Sequence, residues 1–145
     1  SLKVFRELFK PYYRELIEKA HSLGIHLWLH SCGNIEPVIP EFIDIGLDVL
    51  HPIQKYTMDE NRIAREYGRD ICLWAGFDVQ QVIPWGSVGD VRQEVRFMMD
   101  TYFRPQGRLL FGAGNGINGD CSIESLNALY EEAFSYGTDL VAVKT

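Results

Sequence analysis

Between Ile25 and Gly33 the chain reads IHLWLHSCG, and two of its side chains, the His30 imidazole and the Cys32 thiol, carry donor atoms suited to soft or borderline chemistry. Side chains of an extended strand alternate between two faces, so His26, Trp28, His30 and Cys32 share one side and Ile25, Leu27 and Leu29 the other. The second face is apolar and the first carries the chemistry. His30 and Cys32 end that first face just before a Gly33-Asn34 turn, where a nitrogen and a thiolate could converge on one cation. Zinc accepts nitrogen and sulfur ligands and keeps a position open when three protein ligands hold it. The same pair also reads as a hydrogen-bonded strand-end histidine beside a small buried thiol, because free cysteine is commonly buried and inert. What the rest of the chain brings to this pair decides between them.

The elements that must position these groups are legible from apolar spacing. Residues 5 to 23 place Phe5, Leu8, Phe9, Tyr12, Tyr13, Leu16, Ile17, Ala20 and Leu23 three and four apart, the stripe of an amphipathic helix. Pro11 interrupts it, which predicts a main helix starting near Pro11 with a separate turn before it, and Gly24 is placed as a left-handed cap. After the first strand, Asn34 is placed to cap a helix with Ile35, Val38, Ile39, Phe42 and Ile43 inward, stopped by Gly46. A short strand from Leu47 to His51 follows. Thr57 and Glu60 have capping-box spacing for a helix through Tyr67, closed by Gly68. Then come a strand from Asp70 to Ala75, a helix opened by Ser87 and Asp90, a strand from Arg108 to Phe111, and a helix from Ser122 to Tyr136. Met98, Met99 and the aromatic residues at helical spacing are core packing.

This order predicts an α/β fold of about four (β/α) units with parallel strands and right-handed crossovers. Four strands cannot close a (β/α)₈ barrel, so the chain is either an open sheet or half of a barrel. Both arrangements collect functional groups where strands end and helices begin. Four stretches meet that condition: 30 to 34, 51 to 54, 76 to 80 and 112 to 118. The last is glycine-rich but lacks the Gly-Lys-Ser/Thr ending of a phosphate-binding loop, and close backbone approach or a sharp turn explains its glycines.

Bulk properties narrow the function further. The 145 residues fit one domain, residues 1 to 145, and 46% hydrophobic with 23% charged residues fits a soluble globular chain. A net charge of -6 without basic blocks argues against nucleic acid as a partner. Three separated cysteines, Cys32, Cys72 and Cys121, argue against a disulfide framework and for a reducing compartment. No stretch reaches the roughly 18 apolar residues of a membrane span and no leader pattern opens the chain. Cytoplasmic residence is therefore expected, and the chain, starting at Ser1 almost directly in helical pattern, reads as a piece of something longer.

Taken in order, HSCGN at 30 to 34, GLDVLHPIQ at 46 to 54, Tyr67-Gly68 before a strand ending in AGFDVQ at 75 to 80, and the glycine-rich turn before SIESL at 122 to 126 resemble the uroporphyrinogen decarboxylase superfamily. That superfamily includes cobalamin-dependent methyltransferases, and the resemblance is to the carboxyl-terminal half of its (β/α)₈ barrel. In the methyltransferase branch a His-x-Cys pair and a later cysteine hold zinc. Carried over, His30 and Cys32 are two ligands. Asn115, in Gly114-Asn-Gly116, stands where that branch has its third, so either Cys121 takes the role with a shifted loop or no catalytic zinc is held.

The resemblance implies methyl transfer between a corrinoid (a methylcobamide donor, on a corrinoid protein) and a small-molecule thiol that zinc holds as thiolate. Asp78 and His51 are the expected catalytic side chains; Gln54, Gln80 and Asn115 are expected to bind substrate. Two alternatives stay open. One is a metal-free decarboxylase-like lyase in which Asp78 and His30 act by charge, although the turn histidine of the decarboxylases is absent here. The other is a non-catalytic half barrel that forms a homodimer or docks with a missing amino-terminal half through its open strand edges.

Overall fold

The computed structural model describes residues 1–144. Helix begins almost at once: Leu2–Val4 (α1), a wider π turn at Phe5–Phe9, and Lys10–Ser22 (α2) run on without a gap. Pro11 lies in the first turn of α2, directly after the π turn. The π turn before it closes with the Lys10 N–H on the Phe5 carbonyl, so the expected break is a change of helical winding and not a separate piece. Gly24 takes φ of +69°, the left-handed cap expected of it, and Gly46, expected to stop its helix, does so with φ of +81°.

Four strands follow: β1 (Trp28–His30), β2 (Val49–His51), β3 (Cys72–Phe77) and β4 (Leu109–Ala113). All pair in parallel in the order β1-β2-β3-β4, with His30 opposite His51 and Gly76 opposite Gly112. Sequential order with right-handed crossovers lays the connecting helices on one face, whereas a doubly wound sheet reverses along its strand order. The chain is therefore an α/β half barrel. Leu50, Leu73, Ala75 and Phe77 are buried with Ile17, Phe42, Ile63, Val95, Met98 and Leu129 in one core. The alternate side chains Trp28, His30, His51 and Trp74 meet ring to ring across the opposite face, Trp28 edge-on to Trp74 and the other pairs tilted.

The helices between strands are α3 (Ile39–Asp44), α4 (Glu60–Tyr67), α5 (Val82–Trp85), α6 (Val88–Tyr102) and α7 (Ile123–Lys144). Several differ from expectation. Pro37 and Pro40 split the helix expected after Asn34 into a 3₁₀ turn, Glu36–Val38, and the short α3, while Asn34 accepts only the Glu36 N–H. The helix from Glu60 is capped by Asp59, not Thr57: the Asp59 carboxylate accepts the Arg62 N–H, and Thr57 donates to the Gln54 carbonyl. Glu60 is drawn away to Lys55. The Ser87–Asp90 capping box is present in full. β3 and β4 run two residues past their expected ends, and α7 runs on past Tyr136.

Glu41, only 7% exposed on α3, ties the first helices to the sheet. Arg6 Nε and Nη2 donate to its Oε1 at 2.8 and 2.5 Å, and Lys10 Nζ donates to its Oε2 at 2.5 Å. No helix among the described residues is long and apolar enough to cross a membrane.

Candidate functional site

A carbonyl, two imidazole rings and a sulfur form a continuous chain at the carboxyl end of the sheet. His30 and Cys32 leave the end of β1, His51 the end of β2, and the Ala113 carbonyl the end of β4. His51 Nε2 lies 3.1 Å from the Ala113 oxygen, the two Nδ1 atoms of His51 and His30 lie 2.8 Å apart, and His30 Nε2 lies 3.2 Å from Cys32 Sγ. A carbonyl only accepts, so His51 carries its proton on Nε2. Burial, reinforced by the neighbouring His30, pulls the His51 pKa down, with the Ala113 carbonyl opposing, so the ring is neutral and its Nδ1 is bare. The network thus assigns the proton between the rings to His30 Nδ1. The His30 Nε2 lone pair is left aimed at the sulfur.

Cys32 is exposed and is not the buried thiol of the alternative reading. Asn115 approaches from β4's loop, its Nδ2 donating toward Cys32 Sγ at 3.7 Å while its Oδ1 accepts the Gly116 N–H. The loop holding Cys32 is fixed from β2: the Ser31 N–H donates to the His51 carbonyl and the Gly33 N–H to Gln54 Oε1. Gly33 has φ of +85°, a backbone that excludes a side chain without strain.

Cys32 lies on the wall of a cavity of about 350 Å³, with Gln54, Lys55, Asp78, Gln80, Asn115 and Asn118 as its other polar lining. The close approach of two strands shapes its floor: a Cβ on Gly76 would stand 2.5 Å from Gly114 Cα and from Pro52 Cβ. The 51–52 peptide, His51-Pro52, is cis.

Asp78, 5% exposed, accepts the N–H groups of Gln80, Gln81 and Val82 and the Tyr56 hydroxyl, so its carboxylate orders the wall. Tyr56 has φ of 66°, uncommon for a residue with a side chain. Lys55 reaches Glu94 at 2.5 Å and Glu60 at 3.2 Å. Burial pulls its ammonium down, but the two carboxylates outweigh it and hold the pKa above the usual lysine value. Lys55 and Tyr56 had no spacing signal, since their place depends on how the loops fold back, whereas Asn118 ends one of the four strand-end stretches the sequence marks.

Two donors match neighbouring ligands of a tetrahedral ion, for which bond lengths of about 2.0–2.1 Å to nitrogen and 2.3 Å to sulfur put the two atoms about 3.5 Å apart. The third expected ligand is not beside them. Cys121 donates to the Asn118 carbonyl at 3.4 Å and packs against the core. Among the described residues no three His, Cys, Asp or Glu side chains form a metal-holding group. His30, Cys32, Asn115, Gln54, Gln80 and Asp78 thus meet at one mouth, with His51 behind them and Cys121 outside.

Residues 1–136 match the uroporphyrinogen decarboxylase (URO-D) family. The chain belongs to that family. Among solved structures, a methyltransferase from Methanosarcina mazei superimposes with a TM-score of 0.72 at 20% sequence identity, over 94% of this chain and 38% of that one. The URO-D chain described here therefore spans well under half the length of that structure, whose likeness is one of fold. No curated protein matches the sequence.

Proposed function

We propose that this URO-D chain is the carboxyl-terminal half of a methyltransferase that moves a methyl group between a corrinoid and a small thiol. The observation that carries the reading is the aligned His30 Nε2 and Cys32 Sγ at the rim of a polar cavity. These two atoms are the ones that would hold zinc, with the third donor coming from outside the described cluster. Zinc, when bound, supplies acidification of a substrate thiol so that a thiolate exists at neutral pH.

The chain's own residues do the positioning. His51 and the Ala113 carbonyl keep His30 Nε2 bare, Gln54 fixes the Gly33 turn behind the sulfur, and Asn115 contacts the sulfur from the opposite loop. Around them Gln54, Gln80, Asn115 and Asn118 are carboxamides, which recognise neutral or zwitterionic groups by hydrogen bonds without net charge.

That lining disfavours the decarboxylase-like alternative. Among the described residues Lys55 is the one cation on the cavity wall, and Glu60 and Glu94 already neutralise it. A substrate bearing many carboxylates meets no free positive charge here. Metal analysis with methyl transfer tests the reading: zinc added to the purified chain is retained and lost in Cys32→Ser, and the full-length protein methylates a small thiol from methylcobalamin, read by the mass of the product. Zinc retention unchanged in Cys32→Ser, or uroporphyrinogen turnover in place of thiol methylation, overturns it.

A further inference from the structure

A second cavity, of about 430 Å³, opens between the loops that enter β3 and β4, at the end of the sheet away from His30 and Cys32. It is lined by Gly68, Arg69, Arg104, Gln106, Gly107 and Arg108. The chain has nine arginines. Six of them, Arg6, Arg14, Arg62, Arg65, Arg92 and Arg96, each pair with a carboxylate. The other three are those lining this cavity.

Among the described residues none of the three forms an ion pair with a carboxylate. Arg104 donates to the carbonyls of Ala64, Thr101 and Phe103 at 2.7 to 3.1 Å, which fixes its guanidinium at the ends of α4 and α6 but leaves its charge. Arg108 donates to the Asp70 carbonyl at 3.4 Å and, among the described residues, pairs with no carboxylate. Glu66, on the last turn of α4, pairs with Arg65, and the Asp70 carboxylate beside Arg69 forms no ion pair among the described residues. Gly107 and Arg108 both have positive φ, 83° and 74°, so the turn carries Arg108 in a backbone that side chains seldom adopt. Chance would scatter unpaired guanidiniums over an acidic surface; here they meet at one concavity.

We propose that this cavity is an oxyanion site that takes the phosphoryl group of a small ligand. A guanidinium presents a planar fork of donors that matches phosphate oxygens two at a time. Arg104 is the pre-set member, Arg69 and Arg108 are the exposed ones that close on the anion, and the Gln106 amide adds a neutral donor. The volume lies within the range of small-molecule sites, about 300–1,000 Å³, and exceeds what an isolated phosphate fills. The site is independent of the methyl-transfer reading, because it shares no residue with the His30–Cys32 mouth.

Calorimetric titration of the purified chain with inorganic phosphate and with glycerol phosphate, against chloride at equal ionic strength, tests the proposal. Saturable binding and a thermal midpoint that rises with phosphate are expected. Arg69→Glu and Arg108→Glu should each weaken binding about tenfold or more, while Lys19→Glu leaves it unchanged. Both arginines are exposed, and Arg69→Ala and Arg108→Ala, with helix content checked by circular dichroism, guard against a folding defect. Equal affinity for the two probes means that the phosphoryl group alone is read; tighter glycerol phosphate means that the cavity also reads the organic part. No saturation beyond chloride, or binding indifferent to both charge reversals, overturns the proposal.

Discussion

The His30 and His51 rings meet Nδ1 to Nδ1 at 2.8 Å, and only one proton fits between them. With His51 committed to the Ala113 carbonyl through Nε2, that proton belongs to His30. Nitrogen-15 NMR at neutral pH should therefore show His30 protonated at Nδ1 and His51 at Nε2. In His51→Phe the constraint is gone and His30 should become a mixture of tautomers, with about 1 kcal/mol lost from stability for the broken hydrogen bonds.

Asp78 terminates three backbone N–H groups and the Tyr56 hydroxyl while almost fully buried. Asp78→Ala strips all four donors of their acceptor. Urea unfolding should show a loss of about 2–3 kcal/mol, against about 1 for Asp78→Asn, whose Oδ1 still accepts.

Gly76 and Gly116 provide an internal comparison at one mouth. A methyl on Gly76 meets Gly114 and Pro52 at 2.5 Å, and neither can yield easily; a methyl on Gly116 meets nothing within 4 Å. Gly76→Ala should cost about 1–3 kcal/mol in urea unfolding, and Gly116→Ala should be nearly silent.

Acid should loosen the first helices before neutral conditions disturb anything. Hydrogen bonds from Arg6 and Lys10 hold the Glu41 carboxyl at about 2, against an ordinary 4.5. A folded-state pKa below the unfolded one contributes stability that is present above about 4.5 and lost as pH falls toward about 2. The difference in unfolding midpoint between the native chain and Glu41→Gln should be largest near pH 7 and shrink steadily below about pH 4.5.

The repeated strand-helix order and the position of the mouth were readable because both rest on period and punctuation. Period-two alternation placed His30 and Cys32 together, and Gly24, as a left-handed cap, and Gly46 stopped their helices. Short-range chemistry misled where two local choices competed: Thr57 and Asp59 both offer a cap within three residues, and contact of Glu60 with Lys55 decided for Asp59. Pro37 and Pro40 both suit a helix start, which split one expected helix into two short pieces. His51 could be singled out but not its bond to Ala113, for which 62 residues separate the partners. No local pattern encodes a contact that depends on the bend of the sheet.

That bend has a cost and a use. β2 and β4 are not neighbours, since β3 lies between them, yet the Ala113 carbonyl reaches over β3 to the ring of His51. Only a curled sheet brings them within 3.1 Å. Flattening it, by whatever closes or opens the far edges, would separate oxygen from ring and let both imidazoles reorient. The curvature of the half barrel is thus written into where a single proton rests beside the sulfur, and anything that changes the one is felt by the other.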